Sequence, residues 1–384
     1  MRIAISTSVL QRGKSGVGQY ILALVRALLK EPGDHRIILF VLEEDLPLFQ
    51  FVAGRAEIVT VPERYRPAVK NIVWHQMVLP SLLRQWRVDV LHVPSYRRLL
   101  FQHPCALVAT IHDLAPFHIR GKYDAARMFY GRVVVKQLAR RQDAVIAVST
   151  NTARDVERFF GIPVGNQDLV LNGIDHERFN PGNPDQAREE AVRRWGLEFP
   201  YFLFVSRLEH PGKNHVRLIE AFGRFKKETG SNRLLALGGS DWHGVEAIRA
   251  AAARSPHARD IRFLGFVDDA LLPNLYRAAE AMVYPSLHEG FGFPPIEAMA
   301  CNCPVISSTR GSLAEVVADA AMIVDPEDVG NMAEALRRIS TEPGLGIRLK
   351  EAGLLNARRF DWSGNARQVL SVYHRVLEKL KEVG

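Results

Sequence analysis

Short apolar runs alternate with stretches of helical period from one end of this chain to the other. Such an alternation buries its apolar faces as parallel sheets built from βαβ units, with helices on both sides. Strands are expected at Arg2–Ser6, Arg36–Leu42, Ala56–Val61, Asp89–Val93, Ala106–Ile111 and Ala144–Val148, with helical patterns at Gln19–Leu29 and Ala125–Arg140. The alternation pauses at NGIDHERFNPGNPDQ, residues 172–186, whose Asn, Asp, Gly and Pro without periodicity read as a linker. It then restarts, with strands expected at Tyr201–Val205, Arg233–Leu237, Ile261–Phe263, Ala281–Pro285, Pro304–Ser307 and Ala321–Val324. Helices are expected at Asn214–Thr229, Val245–Ala253, Pro273–Ala281 and Gly330–Ile339, and a long helical pattern, Asn365–Lys381, closes the chain. The 384 residues divide naturally into two domains, 1–178 and 179–364, with 365–384 as a final helix. The simplest architecture is two doubly wound α/β domains facing each other across a cleft.

Composition removes several classes. A hydrophobic fraction of 47% and a charged fraction of 24% are those of a soluble globular chain, and no apolar run could span a bilayer. MRIAIS turns polar at QRGKSG too soon for a secretory signal. Three cysteines suit a reducing cytoplasm, and Cys301 and Cys303 have no third ligand nearby, so no metal site is expected. The net charge of +8 is unevenly spread: residues 1–150 carry 21 Lys+Arg against 11 Asp+Glu, leaving the rest at 29 against 31. An anionic partner for the first part would explain this, and so would solubility alone. With no zinc-finger spacing and no aromatic–basic repeat, nucleic acid is the weakest such partner.

In sheets of this kind ligands collect at the carboxyl ends of the strands. After the first strand, QRGKSGVGQY places Gly16 and Gly18 at a helix start, which suits an anion or a plain tight turn. It is an incomplete dinucleotide fingerprint, since Ile21 stands at the third glycine position, although Glu43 and Glu44 end the second strand. His112 ends the strand ALVATI. In the second half, VSRLEHPGKN sets Arg207 and Lys213 six residues apart at a helix N-terminus. Two cations there are awkward unless an anion such as a diphosphate lies between them, and solvated surface charge is the plainer reading.

The stretch SLHEGFGFPPIEAMA is the most informative. Gly290 and Gly292 let backbone N–H groups approach a ligand, and a helix starting near Pro295 adds unpaired donors. Glu297, at that positive end, is expected to stay ionised and to accept from the two hydroxyls of a ribose. Glu289, freer in the loop, could meet a sugar or developing positive charge. A capped loop without a ligand is the bland alternative.

Together these motifs resemble the retaining nucleotide-sugar glycosyltransferases of family four, with the two-domain GT-B fold. The resemblance spans GVGQY, TIHDL, VSTNTARDV, LNGIDHERFNP, SRLEHPGKN, FLGFV, the Glu289/Glu297 pair within HEGFGFPPIEAMA and the closing FDWSGNARQVLSVY. It departs at Ser206, where glycine is usual, and at Asn302-Cys303 in place of Gly-Thr. The resemblance implies that Arg207 and Lys213 hold the donor diphosphate, with Gly16 and Gly18 completing that site from across the cleft. Glu289 would contact the transferred sugar, the N–H groups of Gly290, Phe291 and Gly292 would line its pocket, and Glu297 would hold the ribose. The backbone at Phe266 and Val267 would meet the base, His112 the sugar near its reacting carbon, and the final helix would pack back on the first domain.

The implied reaction moves a sugar from a nucleoside diphosphate to a hydroxyl of a glycan or lipid-linked acceptor with retention, cations replacing a metal because no Asp-x-Asp motif occurs. No cofactor is expected, GDP-mannose is the first donor guess, and a cytoplasmic protein touching the membrane's inner face through its basic first domain fits. The rivals are an epimerase or phosphorylase of similar architecture, a nicotinamide oxidoreductase, and a non-catalytic sugar-nucleotide-binding protein.

Overall fold

A computed structural model describes residues 1–13, 15–118, 129–163, 165 and 168–383. The chain forms two compact units, Met1–Gly173 with Asp361–Gly384, and Ile174–Phe360. Their boundaries fall at 173/174 and 360/361, where the sequence reading draws them at 178/179 and 364/365.

The first unit contains β1 (Arg2–Ser6), β2 (Arg36–Leu42), β3 (Glu57–Val61), β4 (Val90–Val93), β5 (Ala106–Ile111) and β6 (Ala144–Ala147), in the order β3-β2-β1-β4-β5-β6. The second contains β7 (Tyr201–Val205), β8 (Leu234–Gly238), β9 (Ile261–Gly265), β10 (Ala281–Tyr284), β11 (Val305–Ser307) and β12 (Met322–Ile323), in the order β12-β11-β10-β7-β8-β9. Every pairing in both sheets is parallel. Counted from its own first strand, each sheet has the same doubly wound order, so strand order reverses between β1 and β4 and between β7 and β10. The helices used below are α1 (Gly16–Leu28), α2 (Ala68–Met77), α3 (His215–Thr229), α4 (Leu272–Ala278), α5 (Phe293–Ala300) and α6 (Trp362–Val383).

The inner strands are buried and largely apolar because both faces are covered, whereas the edge strands β3, β9 and β12 are partly exposed. In the first sheet Ile3, Ile5, Ile37 and Leu39 face one core with Ile21, Leu24 and Val25 of α1. Val369, Val372, Tyr373 and Val376 of α6 complete that core. Ala4, Ile38, Phe40 and Leu91 face the other core with Trp74 of α2 and Leu79.

Several helices carry no clear sequence signal. Pro184–Trp195 buries only Ala187 and Ala191, one turn apart, so it has no apolar stripe to read. It also overlaps the expected linker, where Asn183 caps it by accepting from the N–H groups of Asp185 and Gln186. The rest of that stretch is tied down: Arg277 donates to the Asn180 carbonyl and side chain, and Ile174 and Phe179 are buried. Leu345–Ala357 is interrupted by Gly353, which packs on Met299. Residues 125–128 of the helix expected at 125–140 lie outside the described residues; the remainder is a wide helical turn at Tyr130–Val135 followed by Lys136–Ala139.

Candidate active site

In the second unit, the parallel strands β10, β7, β8 and β9 deliver their carboxyl ends to one edge of the sheet. Beyond β7, the Ser206 N–H donates to the Gly238 carbonyl at 2.9 Å. The backbone of Gly239 (φ 148°) passes so close that a Cβ there would sit 1.8 Å from the Ser206 carbonyl oxygen. Glycine at 239 is therefore required to hold Arg207 in place, a need that only strand pairing reveals. The Arg207 guanidinium lies 4.8 Å from the Trp242 ring centre and 3.4 Å from the Glu209 carboxylate. Beyond β9, Phe266 is exposed and Val267 buried, its Cγ2 3.3 Å from where a Cβ on Gly238 would lie.

Lys213 precedes α3, whose cap Asn214 takes a left-handed φ of 65° and donates to the carbonyls of Pro285 and Pro326 at 3.0 and 2.6 Å. That brace ties the lysine turn to the end of β10. The Lys213 ammonium meets the Glu289 carboxylate at 2.6 Å, with the two side chains 16% and 12% exposed. Burial alone would push the Glu289 carboxyl up, but the Lys213 charge reverses this and holds it below the usual carboxylate range. Burial likewise opposes the Lys213 charge, and Glu289 more than offsets it.

The Glu289 loop is held from behind. The Ser312 N–H donates to the Glu289 carbonyl at 3.0 Å, and the Ser312 hydroxyl donates to the Phe291 carbonyl at 2.7 Å. Gly311 (φ 68°) lies against the loop: a Cβ there would fall 2.3 Å from the Glu289 carbonyl oxygen. Gly292 (φ 100°) leads into α5, and the Phe291 ring is buried edge-on against Phe293 and Phe360 at 5.1 and 5.8 Å. Phe291 thus offers only its backbone to a ligand.

Three expectations need correction. Glu289 is not free in the loop; it is mostly buried and ion-paired. Arg207 and Lys213 do not wait for an anion, since Glu209 and Glu289 already neutralise them. Glu297 lies in the second turn of α5, past the reach of the helix end. Burial pushes its carboxyl up to about 7, opposed by the Arg178 charge and the Tyr276 hydroxyl, which donates to it at 3.1 Å. Desolvation outweighs both of these opposing influences.

In the first unit, Gln11, Arg12 and Gly13 all take left-handed φ (52, 55 and 75°) just after β1, and the chain then enters α1. Ser15 caps the helix by accepting from the Gly18 N–H at 3.1 Å. A Cβ on Gly18 would lie 2.4 Å from the Leu10 carbonyl oxygen, whereas one on Gly16 would meet none of the described residues within 4 Å. Gly18 is therefore demanded by packing, and no such demand falls on Gly16 among the described residues. Glu43 and Glu44 lie in the turn after β2, where Glu44 pairs with Arg12 and Glu43 accepts from the Glu63 N–H.

His112 follows β5. Its Nε2 is buried without a hydrogen-bond partner among the described residues, and its ring meets the Tyr20 ring edge-on at 4.6 Å. Burial lowers its pKa to about 4 against the opposing pull of Asp113 and of the hydrogen bond to the Pro94 carbonyl. That bond engages Nδ1–H, so a neutral imidazole presents Nε2 as an acceptor. Tyr20 sits in the quoted GVGQY motif, yet nothing in the sequence shows that it meets His112. Cys301 and Cys303 are buried free thiols that burial pushes up to about 12.

The family model described as Glycosyltransferase Family 4 matches residues 14–178, and that of Glycosyl transferases group 1 matches residues 185–375. The O-antigen chain mannosyltransferase B of Escherichia coli is 26% identical over 97% of this chain and 99% of its own. A D-inositol 3-phosphate glycosyltransferase of Catenulispora acidiphila is 30% identical over 77% of this chain and 74% of its own. Among solved structures, Anabaena HepE in complex with UDP-glucose superposes with a TM-score of 0.73 at 18% identity, covering 98% of this chain and all of that one.

Proposed function

Because the chain belongs to the group 1 and family 4 glycosyltransferases and has their GT-B fold, we propose that it transfers a sugar, mannose in the first instance, from a nucleoside diphosphate to a hydroxyl with retention and without a metal. The observation that carries this reading is the Arg207, Lys213 and Glu289 group at the carboxyl edge of the second sheet. With Glu209 beside Arg207, the group carries no net charge as it stands. An arriving diphosphate shifts Lys213 and Arg207 from their carboxylates to itself, and both cations stabilise the charge that grows on the leaving group. Glu289, released from Lys213, faces positive charge developing on the sugar ring. His112 accepts from a sugar hydroxyl through Nε2, and Glu297 accepts from the ribose. Mannose is favoured by the mannosyltransferase that matches almost end to end.

The test is nucleoside diphosphate release from a panel of GDP- and UDP-sugars, with the anomeric configuration of the product read by NMR. GDP-mannose is expected to give the highest rate, the α-configuration to be retained, and EDTA to change the rate less than about two-fold. Activity abolished by EDTA and restored by Mg²⁺ would overturn the cationic leaving-group model.

The acceptor side is proposed to lie at a membrane surface. Among the described residues no helix is long and apolar enough to cross a membrane. However, α2 exposes Val69, Val73 and Met77 (74, 50 and 72% exposed) at four-residue spacing, while Trp74 and His75 face the core. Lys70 and Arg64 flank this stripe in the basic first unit. Binding to vesicles of phosphatidylglycerol is expected to weaken more than ten-fold in Val73→Asp/Met77→Asp, given ~1.5–3 kcal/mol per buried apolar side chain. It should also weaken as salt rises, since exposed charge is screened beyond ~10 Å at 0.1 M. Unchanged vesicle binding by that variant would remove α2 from the contact.

A further inference from the structure

A continuous buried polar chain runs through the first unit to the ring that His112 leans on. The Tyr373 hydroxyl of α6 lies 2.6 Å from Nδ1 of His92 on β4. His92 Nε2 lies 2.7 Å from the Thr110 hydroxyl on β5, and Thr110 lies 3.2 Å from the Tyr20 hydroxyl on α1. All four side chains are 0–1% exposed. Burial keeps His92 neutral, its pKa lowered to about 3, so it offers one donor and one acceptor to its two hydroxyl neighbours. The Tyr20 ring is held between His112, at 4.6 Å and 77°, and Trp362 of α6, at 5.8 Å and 59°.

A buried hydroxyl chain costs desolvation that an apolar core would not, and full satisfaction of its partners makes it a rigid brace. Among the described residues the His112 ring has one hydrogen-bond partner, the Pro94 carbonyl. A ring held at one nitrogen still pivots about that bond, and the Tyr20 ring edge is the second contact that fixes its plane. We propose that Tyr20, held by Thr110, His92 and Tyr373, is a positioning residue that aims Nε2 of His112. The proposal rests on the reading that His112 meets the transferred sugar, and it adds that α6, the last helix of the chain, helps to set that aim.

The experiment compares kcat, donor KM and melting temperature for Tyr20→Leu, Tyr20→Phe, His112→Ala and the two double variants in the full chain. His112→Ala is expected to lower kcat about a hundred-fold, as loss of a positioned polar group in a reacting site does. Tyr20→Leu should lower kcat about ten-fold with donor KM nearly unchanged, and should have almost no further effect in the His112→Ala background, since residues acting as a unit are non-additive. Tyr20→Phe keeps the ring but releases it from Thr110, so a loss of about three-fold is expected, again absent without His112. It carries the comparison if Tyr20→Leu does not fold. Equal fold-losses in both backgrounds would show that Tyr20 acts independently of His112 and would end the proposal while leaving the sugar contact standing. Near-normal kcat in His112→Ala would instead remove the sugar contact, and the positioning role with it.

Discussion

Lys213→Ala is expected to destabilise the folded protein by about 3–5 kcal/mol, because it strands the Glu289 carboxylate in a mostly buried site. It should also lower kcat by about 10²–10³-fold, since one of the two charges on the departing diphosphate is gone. The two effects separate in a double variant. Lys213→Ala/Glu289→Gln removes both charges of the buried pair and should recover most of the lost stability in urea denaturation, yet none of the activity. Wild-type stability in Lys213→Ala would mean that the 2.6 Å pair does not persist in solution.

The two glutamates of the HEGFGFPPIEA stretch should fail in different ways. Gln at 289 still accepts from Lys213 but no longer offsets charge on the sugar ring. A loss of about 2–4 kcal/mol at the transition state lowers kcat roughly 30- to 1000-fold. Glu297 is assigned to the ribose, which does not react, so Glu297→Gln should mainly raise donor KM. The pH dependence sharpens this contrast. With its carboxyl pushed up to about 7, Glu297 is largely protonated at pH 6 and largely ionised at pH 8. If the ionised form holds the ribose, donor KM should fall by up to about ten-fold over that range in the wild type and stay flat in Glu297→Gln. The stability effect has the opposite sense. A raised folded-state pKa stabilises fully below the unfolded value of 4.5, and that contribution is lost as pH rises through about 7. Steady-state kinetics on both variants settles the assignment; near-normal kcat in Glu289→Gln would leave Glu289 as a structural loop residue.

All twelve strands were legible: the inner ones because strands covered on both faces are short, largely apolar runs, and the edge strands such as β3 because their β-prone runs still alternate with helical stretches. Helices were legible where one face is apolar, as in α1, α3 and α6, and not where burial rests on two alanines, as in Pro184–Trp195. At the candidate site the sequence showed which residues carry charge but not what those charges meet. Glu209 and Glu289 neutralise the cations from positions 2 and 76 residues away from their partners, and only the fold brings the second pair together. Glu297 was misjudged for a related reason. Its place near a helix start is written in the sequence, while its burial beside Tyr276 depends on α4 packing against α5. Gly239 and Gly311 were missed because their need for a bare backbone arises from segments distant in sequence.

The return of α6 to the first unit also bears on the order in which the protein can be made. The second unit is an insertion: the chain enters at Ile174 and leaves at Phe360, and the Ile174 N–H donates to the Phe360 carbonyl at 3.2 Å. Every residue the second unit needs is synthesised before α6. The first unit, begun earlier, still lacks Val369, Val372, Tyr373 and Val376 at that stage, and their share of its core stays open. The later-begun unit is therefore the first whose sequence is complete. A chain truncated before residue 362 has a complete second unit and a first unit with an uncovered apolar face, which marks it for aggregation or degradation.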